Sequence, residues 1–279
     1  MQPQVQRIAI AKDTLKIIQQ GFFLTPDQSQ ISIRAQQELA VANTKCYSPE
    51  SSDQLIKERI SQKLSQPTQI EVNRETTLDA TRQLIAEGYD DVVCLNFASA
   101  KNPGGGFLGG AQAQEESIAR STGLYPCLLR AMVYYDSNRK IKSCIYTDYM
   151  IYSPSVPIFK NEEGENLSEI LCTAIITAPA VNTGVVRERE PDKVALIEPI
   201  MKRRIEKVLA IALENGHRTI VLGAWGCGVF RNDPDDMAKY FKEVIETKFK
   251  DEFRKIVFAV YSKNERFVRP FLREFSFGV

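Results

Sequence analysis

Apolar residues in the opening twenty positions recur with a helical period. Ile8, Ala11, Leu15 and Ile18 fall on one face of a segment from Val5 to Gln20, and Gly21 stands where a C-terminal cap belongs. The next stretch, GFFLTPDQSQISI, reads as two short strands around a Thr-Pro-Asp turn. Arg34 to Asn43 returns to helical spacing, and SPESSD reads as a loop. No glycine-rich or charged linker follows, so residues 1–67 are expected to form a mainly helical N-terminal extension packed on a core domain spanning 68–279.

From about Thr68 strands and helices alternate. TQIEVNR is strand-like, LDATRQLIAEG a helix closed by Gly88, and DVVCLNF a strand that ends at a cluster of glycines. A helix beginning near Glu115 comes next, then the β-rich CIYTDYMIYS, the apolar run ILCTAIITAP and a long amphipathic helix from about Lys193 to Asn215. After Gly216 the cycle repeats: the strand RTIVLGAW, the glycine-bearing loop WGCGVFRNDP, the helix DDMAKYFKEVIETKF and a final strand, KIVFAVYS. The alternation predicts an α/β sheet covered on both faces. Ligands of such sheets bind outside the C-terminal strand ends, where both glycine loops fall.

Composition limits what that ligand site belongs to. With 279 residues, 43% of them hydrophobic, the chain suits one large domain or one domain with an extension. Lys plus Arg (36) nearly balances Asp plus Glu (35), which argues against bulk nucleic acid or a membrane surface as partner. An anionic ligand must therefore be held by local groups. No run approaches the roughly 18 apolar residues of a membrane span, and no signal-peptide segment opens the chain, so a soluble, cytoplasmic protein is expected. Six cysteines without a CxxC pair read as reduced core thiols, and with a single histidine no metal is expected. That histidine, His217, has no Ser or Cys nucleophile nearby and is expected to be non-catalytic. The charge clusters MKRRIEK and RERE read as solvated faces.

The chemistry concentrates in VVCLNFASAKNPGGGFLGGAQAQEESIAR, residues 92–120, where a strand gives way to glycines and then to two adjacent carboxylates, Glu115 and Glu116. Clustered glycines cost folding entropy and mark close approach of backbone to a ligand. Neither NPGGGFLGG nor WGCGVF fits the dinucleotide fingerprint, and the chain has no P-loop. Two glycine loops at strand ends nonetheless point to phosphate contact in one crevice. By itself the Glu pair has a plainer account, since acidic residues favour the first turn of a helix.

Together these residues resemble the signature of the microbial poly(ADP-ribose) glycohydrolases, a macrodomain branch: three glycines, a spacer of six to eight residues, then Gln-Glu-Glu. Here Gly104, Gly105 and Gly106 are followed by seven residues, Phe107 to Ala113, and by Gln114, Glu115 and Glu116. VLGAWGCGVFRNDP resembles the family's diphosphate-binding loop, so the likeness spans essentially the whole chain. It implies a macrodomain-like three-layer α/β/α fold with a mixed central sheet, and an enzyme cutting the ribose–ribose O-glycosidic bond of poly(ADP-ribose). Glu116 would be the general acid and base, and Glu115 would hold ribose hydroxyls. Two repelling carboxylates in a partly dry crevice would raise a pKa, as such an acid needs.

The resemblance implies further contacts. Asn102 would bind the distal ribose, although an Asn-Pro turn explains it equally well. Gly104 to Gly106 would let the backbone approach sugar and diphosphate, while Gly226, Cys227, Gly228 and Val229 would offer N–H groups to the phosphates. Phe230 would pack on the adenosine, or else be a core residue; Asn182 would line the crevice; Trp225 would pack beside the second loop. ADP-ribose polymer or ADP-ribosylated protein is the implied substrate, ADP-ribose the product, and no cofactor is implied. Two alternatives stay open: a non-catalytic ADP-ribose-binding module, and a hydrolase of mono-ADP-ribose.

Overall fold

The first helical period closes as a helix. α1 (Gln4–Gln20) ends on Gly21, whose left-handed backbone (φ 79°) returns its N–H to the Ile17 carbonyl. This computed structural model describes residues 2–275. The hairpin β1 (Phe22–Leu24) and β2 (Gln30–Ser32) forms its own antiparallel pair, and α2 (Arg34–Ala42) follows. β3 (Lys45–Tyr47) then joins the main sheet, pairing antiparallel with a later strand. SPESSD is a helix start, not the expected loop: Ser48 caps α3 (Pro49–Glu58) by accepting the Ser51 N–H, and Pro49 fills a first-turn position that needs no N–H.

β4 (Gln69–Asn73), α4 (Thr77–Ala86) and β5 (Val92–Phe97) appear where the alternation puts them. Thr76 caps α4 by accepting the Asp79 N–H. Beyond the glycines, α5 (Gln114–Ser121) is followed by two helices the pattern does not reveal, α6 (Leu124–Arg130) and α7 (Met132–Lys140). Their Leu124, Cys127, Leu128, Tyr134 and Tyr135 are buried, but each helix is too short to show a period. β6 (Met150–Lys160) begins only at Met150, so the first six residues of CIYTDYMIYS are not strand. β7 (Asn166–Ala178) starts before the apolar run, as the outer half of a β6–β7 hairpin.

α8 (Thr183–Arg189) and a 3-10 turn over Pro191–Leu196 precede α9 (Ile197–Glu214), so the long helix starts later than Lys193. β8 (Thr219–Leu222), α10 (Pro234–Lys248) and β9 (Lys255–Ala259) complete the predicted cycle, and an unforeseen α11 (Glu265–Phe275) follows. The seven-stranded sheet runs β3-β6-β7-β5-β8-β9-β4. β7, β5, β8, β9 and β4 are parallel neighbours, whereas β6 pairs antiparallel with both β7 and β3, giving the expected mixed sheet.

Alternation sorts the core into two layers. Val93, Leu95, Ile220, Leu222, Ile256 and Phe258 face the side covered by α9, α10 and α11. Cys94, Val221 and Val257 face the side covered by α2, α4, α5, α6 and α7. Each fully buried side chain of this kind contributes roughly 1.5–3 kcal/mol of transfer free energy. The first 67 residues are woven into this architecture. β3 is its edge strand, α2 lies on β6 and α3 on α9. Among the described residues, no helix is long and apolar enough to cross a membrane.

Candidate active site

The parallel strands β5, β7 and β8 deliver their loops to one edge of the sheet. The chain leaving β5 turns back through Gly104 (φ 69°) and Gly105 (φ 60°), a left-handed pair that other residues rarely adopt. Gly105 also makes room. A Cβ there would collide with Glu116 Oε1 and lie 3.0 Å from Glu115 Oε2, so both carboxylates approach bare backbone.

α5 presents those carboxylates from its first turn. Gln114 anchors that turn: its Oε1 accepts the Phe97 N–H (2.8 Å), and its Nε2 donates to the Leu95 carbonyl (2.7 Å) and Thr77 Oγ1 (3.0 Å). This commits the Gln114 amide to β5 and α4. Glu115, 3% exposed, accepts the Ser99 N–H at 2.6 Å and lies 3.4 Å from Asn96 Nδ2. Burial pushes its carboxyl from an ordinary 4.5 up to about 8; the Ser99 N–H opposes the rise and the charge of Glu116 adds to it. Glu116 accepts the Gly106 N–H through Oε1 at 2.9 Å, while its buried Oε2 has no partner among the described residues.

The second loop follows β8. Gly226 (φ 74°) has no space for a side chain, because a Cβ would meet Asn232 Nδ2 at 2.5 Å and Ala180 Cβ at 2.6 Å. Buried Asn232 holds the loop: its Nδ2 donates to the carbonyls of Val181 (2.8 Å) and Gly226 (3.2 Å), and its Oδ1 accepts from Thr183 Oγ1 (2.7 Å). The Cys227 N–H is bonded to the Ala224 carbonyl (3.1 Å), so it is not among the donors the loop can offer. The N–H groups of Gly226, Gly228 and Val229 have no acceptor among the described residues. Gly228 and Val229 are exposed.

A third wall comes from the irregular segment before β6. Fully buried Arg204 of α9 donates to the carbonyls of Ile145 (2.8 Å), Tyr146 (3.1 Å) and Thr147 (3.1 Å) and pairs with Asp148 Oδ1 (2.9 Å). These bonds fix Tyr146 at φ 62°, with its ring 5.9 Å from that of Phe230. Asn182 stands beside them as the cap of α8, its Oδ1 accepting the Val185 N–H at 3.3 Å.

The structure therefore brings Gly104, Gly105, Gly106, Gln114, Glu115 and Glu116 together, and joins Gly226, Gly228, Val229 and Phe230 to Asn182 through Asn232 and the Phe230 carbonyl bond from Gly184 (2.9 Å). Asn102 is exposed on the rim, its carbonyl accepting the Gly105 N–H at 3.0 Å. Trp225 is wholly buried behind the second loop. His217 sits at the opposite edge of the sheet, before β8, between Tyr152 Oη (2.8 Å) and the Asp91 carbonyl (2.9 Å). Asn96, Ser99, Asn232, Arg204 and Tyr146 carry no motif in the sequence and are joined to the site only by the fold. Tyr261, 74% exposed, follows the C-terminal end of β9, the parallel neighbour of β8. Only Tyr261 had a readable signal, an aromatic at a predicted strand end. Among the described residues no His/Cys/Asp/Glu cluster has metal-ligating geometry.

A mixed sheet with helices on both faces, two glycine loops at its strand ends and a buried carboxylate pair beside one of them defines a macrodomain-like α/β protein. The chain belongs to the microbial-type PARG catalytic-domain family, whose model matches residues 11–161, more than half its length. Among solved structures it is similar to the poly(ADP-ribose) glycohydrolase (PARG) of Thermomonospora curvata, at 40% identity over 96% of this chain and 99% of that one, TM-score 0.93. The same enzyme bound to the inhibitor ADP-HPD matches with TM-score 0.90, 40% identity and the same coverage. The PARG of Deinococcus radiodurans in complex with ADP-ribose matches at 42% identity over 85% of this chain and 96% of that one, TM-score 0.81. No curated protein matches.

Proposed function

We propose that the chain hydrolyses the ribose–ribose O-glycosidic bonds of poly(ADP-ribose) from chain ends and releases ADP-ribose. One observation carries this reading: two adjacent buried carboxylates face the glycine turn of Gly104–Gly106, and Glu116 keeps an unpartnered oxygen among the described residues. A binding module has no need of that arrangement. Glu116 donates a proton to the leaving ribose oxygen as the glycosidic bond breaks, and the oxocarbenium-like sugar develops beside the pair. Water then attacks the anomeric carbon and returns its proton to Glu116. Glu115, largely neutral near pH 7, holds ribose hydroxyls and spares the crevice a second full charge. The free N–H groups of Gly226, Gly228 and Val229 take the diphosphate without net basic charge, Phe230, Asn182 and Asn102 line the sugars, and Tyr261 offers a stacking face.

Residues 1–67 and 68–279 act as one unit in this proposal, since β3 belongs to the sheet. A cytoplasmic setting is supported by six free cysteines. The test incubates the protein and a Glu116→Gln variant with defined poly(ADP-ribose) chains and follows free ADP-ribose by chromatography. Wild type is expected to release it, with the variant slower by ~10²–10⁴-fold, the usual worth of a general acid. Tight ADP-ribose binding without release by either would leave a reader; release only from mono-ADP-ribosylated protein would leave the other hydrolase.

A further inference from the structure

Between the glycine turn and the carboxylates the chain makes a detour over Phe107–Ala113, and the first turns of α1 seize it from outside. Gln4 Nε2 donates to the Gly109 carbonyl (2.9 Å), and Arg7 Nε donates to that of Gly110 (2.7 Å). From the inner side Arg120, 4% exposed, donates to the Ala111 carbonyl (2.7 Å) and to Gln112 Oε1 (2.7 Å). Three consecutive carbonyls are thus fixed by side chains of two helices. Gly110 (φ 73°) lies so close to α1 that a Cβ would meet the Gln4 carbonyl at 2.8 Å and Ile8 Cγ1 at 2.9 Å. Beneath it Ala11 of α1, Phe107 and Ala119 of α5 form a small buried cluster of their own.

The detour leads straight to the carboxylates. The Ala111 N–H bonds the Gly106 carbonyl (3.1 Å), and the Gly106 N–H in turn holds Glu116 Oε1 (2.9 Å). A shift of the 109–111 carbonyls therefore moves the one hydrogen bond that orients the Glu116 carboxylate among the described residues. The family match begins at residue 11, so Gln4 and Arg7 lie outside the stretch that it describes.

We propose that the first two turns of α1 are a positioning element for the reaction, and that Arg7 acts through the Gly110 carbonyl to set the orientation of Glu116. The inference rests on the glycohydrolase reading above. Arg7 touches no substrate. Its loss should misplace the acid while leaving the ADP-ribose cradle on the second loop intact.

The 279-residue chain, Arg7→Ala, Arg7→Lys, Gln4→Ala and Gly110→Ala are compared for kcat and KM on poly(ADP-ribose), ADP-ribose affinity by calorimetry, and thermal midpoint. Arg7→Ala is expected to lower kcat by about 10–100-fold, the scale of a 1 Å misplacement in a catalytic group. KM and ADP-ribose affinity should stay within about threefold of wild type. Arg7→Lys, which keeps a donor for the Gly110 carbonyl, should recover part of kcat, and Gly110→Ala should reproduce the defect from the loop side. Should Arg7→Ala not fold, the exposed Gln4→Ala decides, with a kcat loss of severalfold expected at unchanged affinity. Unchanged kcat in folded variants, or equal losses of kcat and affinity, would overturn the inference. A wild type that binds ADP-ribose but releases none would sink the glycohydrolase reading instead.

Discussion

Glu115 shows how far a residue's behaviour departs from what its neighbours in sequence imply. A pair of acidic residues in a first helical turn is ordinary, yet here the deeper one loses its solvent and the carboxyl rises to about 8. A carboxyl whose folded pKa exceeds its unfolded value binds its proton more tightly when folded. Its stabilising contribution is therefore complete below about pH 4.5 and disappears as pH rises through about 8. The thermal midpoint should accordingly fall across that window, and a Glu115→Gln variant should flatten the fall. An identical slope in both proteins would show that the side chain is not held neutral. Adjacency of Glu115 and Glu116 was legible in the chain; the different hydrogen-bond partners that separate them were not, because Ser99 and Asn96 meet only one of the two.

Loops form the next level, and each is held by a residue remote from its glycines. Gly226, Gly228 and Val229 were readable as a phosphate-type turn, but what keeps their N–H groups outward is Asn232 tying the loop to the β7–α8 connection. An Asn232→Ala variant loses three buried hydrogen bonds, so a stability loss of ~2–3 kcal/mol is expected at the net worth of such bonds. ADP-ribose affinity should fall about tenfold or more as the loop relaxes, on the scale at which buried polar networks act. Denaturant titration and calorimetry measure the two effects, and a loss of stability at full affinity would separate the anchor from the ligand site. Cys227 illustrates the limit of motif reading. It lies inside the loop, but its N–H is spent on the Ala224 carbonyl, a local turn bond that no spacing rule reveals.

Across the whole molecule residues 1–67 and 68–279 share one sheet through β3. Without residues 1–67, β6 would lose its antiparallel neighbour β3, α9 its cover from α3, and the 109–111 carbonyls their partners on α1. A chain of 68–279 is expected to lack a cooperative thermal transition and to bind no ADP-ribose, since an uncovered edge and exposed apolar faces favour association over folding. A sharp transition with retained binding would establish 1–67 as a true extension. The same scale explains the missed elements. α6 and α7 are too short for their period to show, and the Cys144–Tyr149 segment looks like strand by composition but is held irregular by Arg204, about two turns into the distant α9.

The sequence by itself determined the alternation of strands and helices, the position of both glycine loops at strand ends, and the spacing that sets two carboxylates behind three glycines. All of these follow from local rules, in which period, turn chemistry and neighbouring residues suffice. Tertiary structure alone decided the strand order, the inclusion of the N-terminal segment in the sheet, which carboxylate meets Ser99 and Asn96, and which loop N–H groups have no acceptor among the described residues. Each of those depends on groups far apart in the chain meeting in a low-dielectric interior, where a hydrogen-bond partner or its absence is worth more than any local preference.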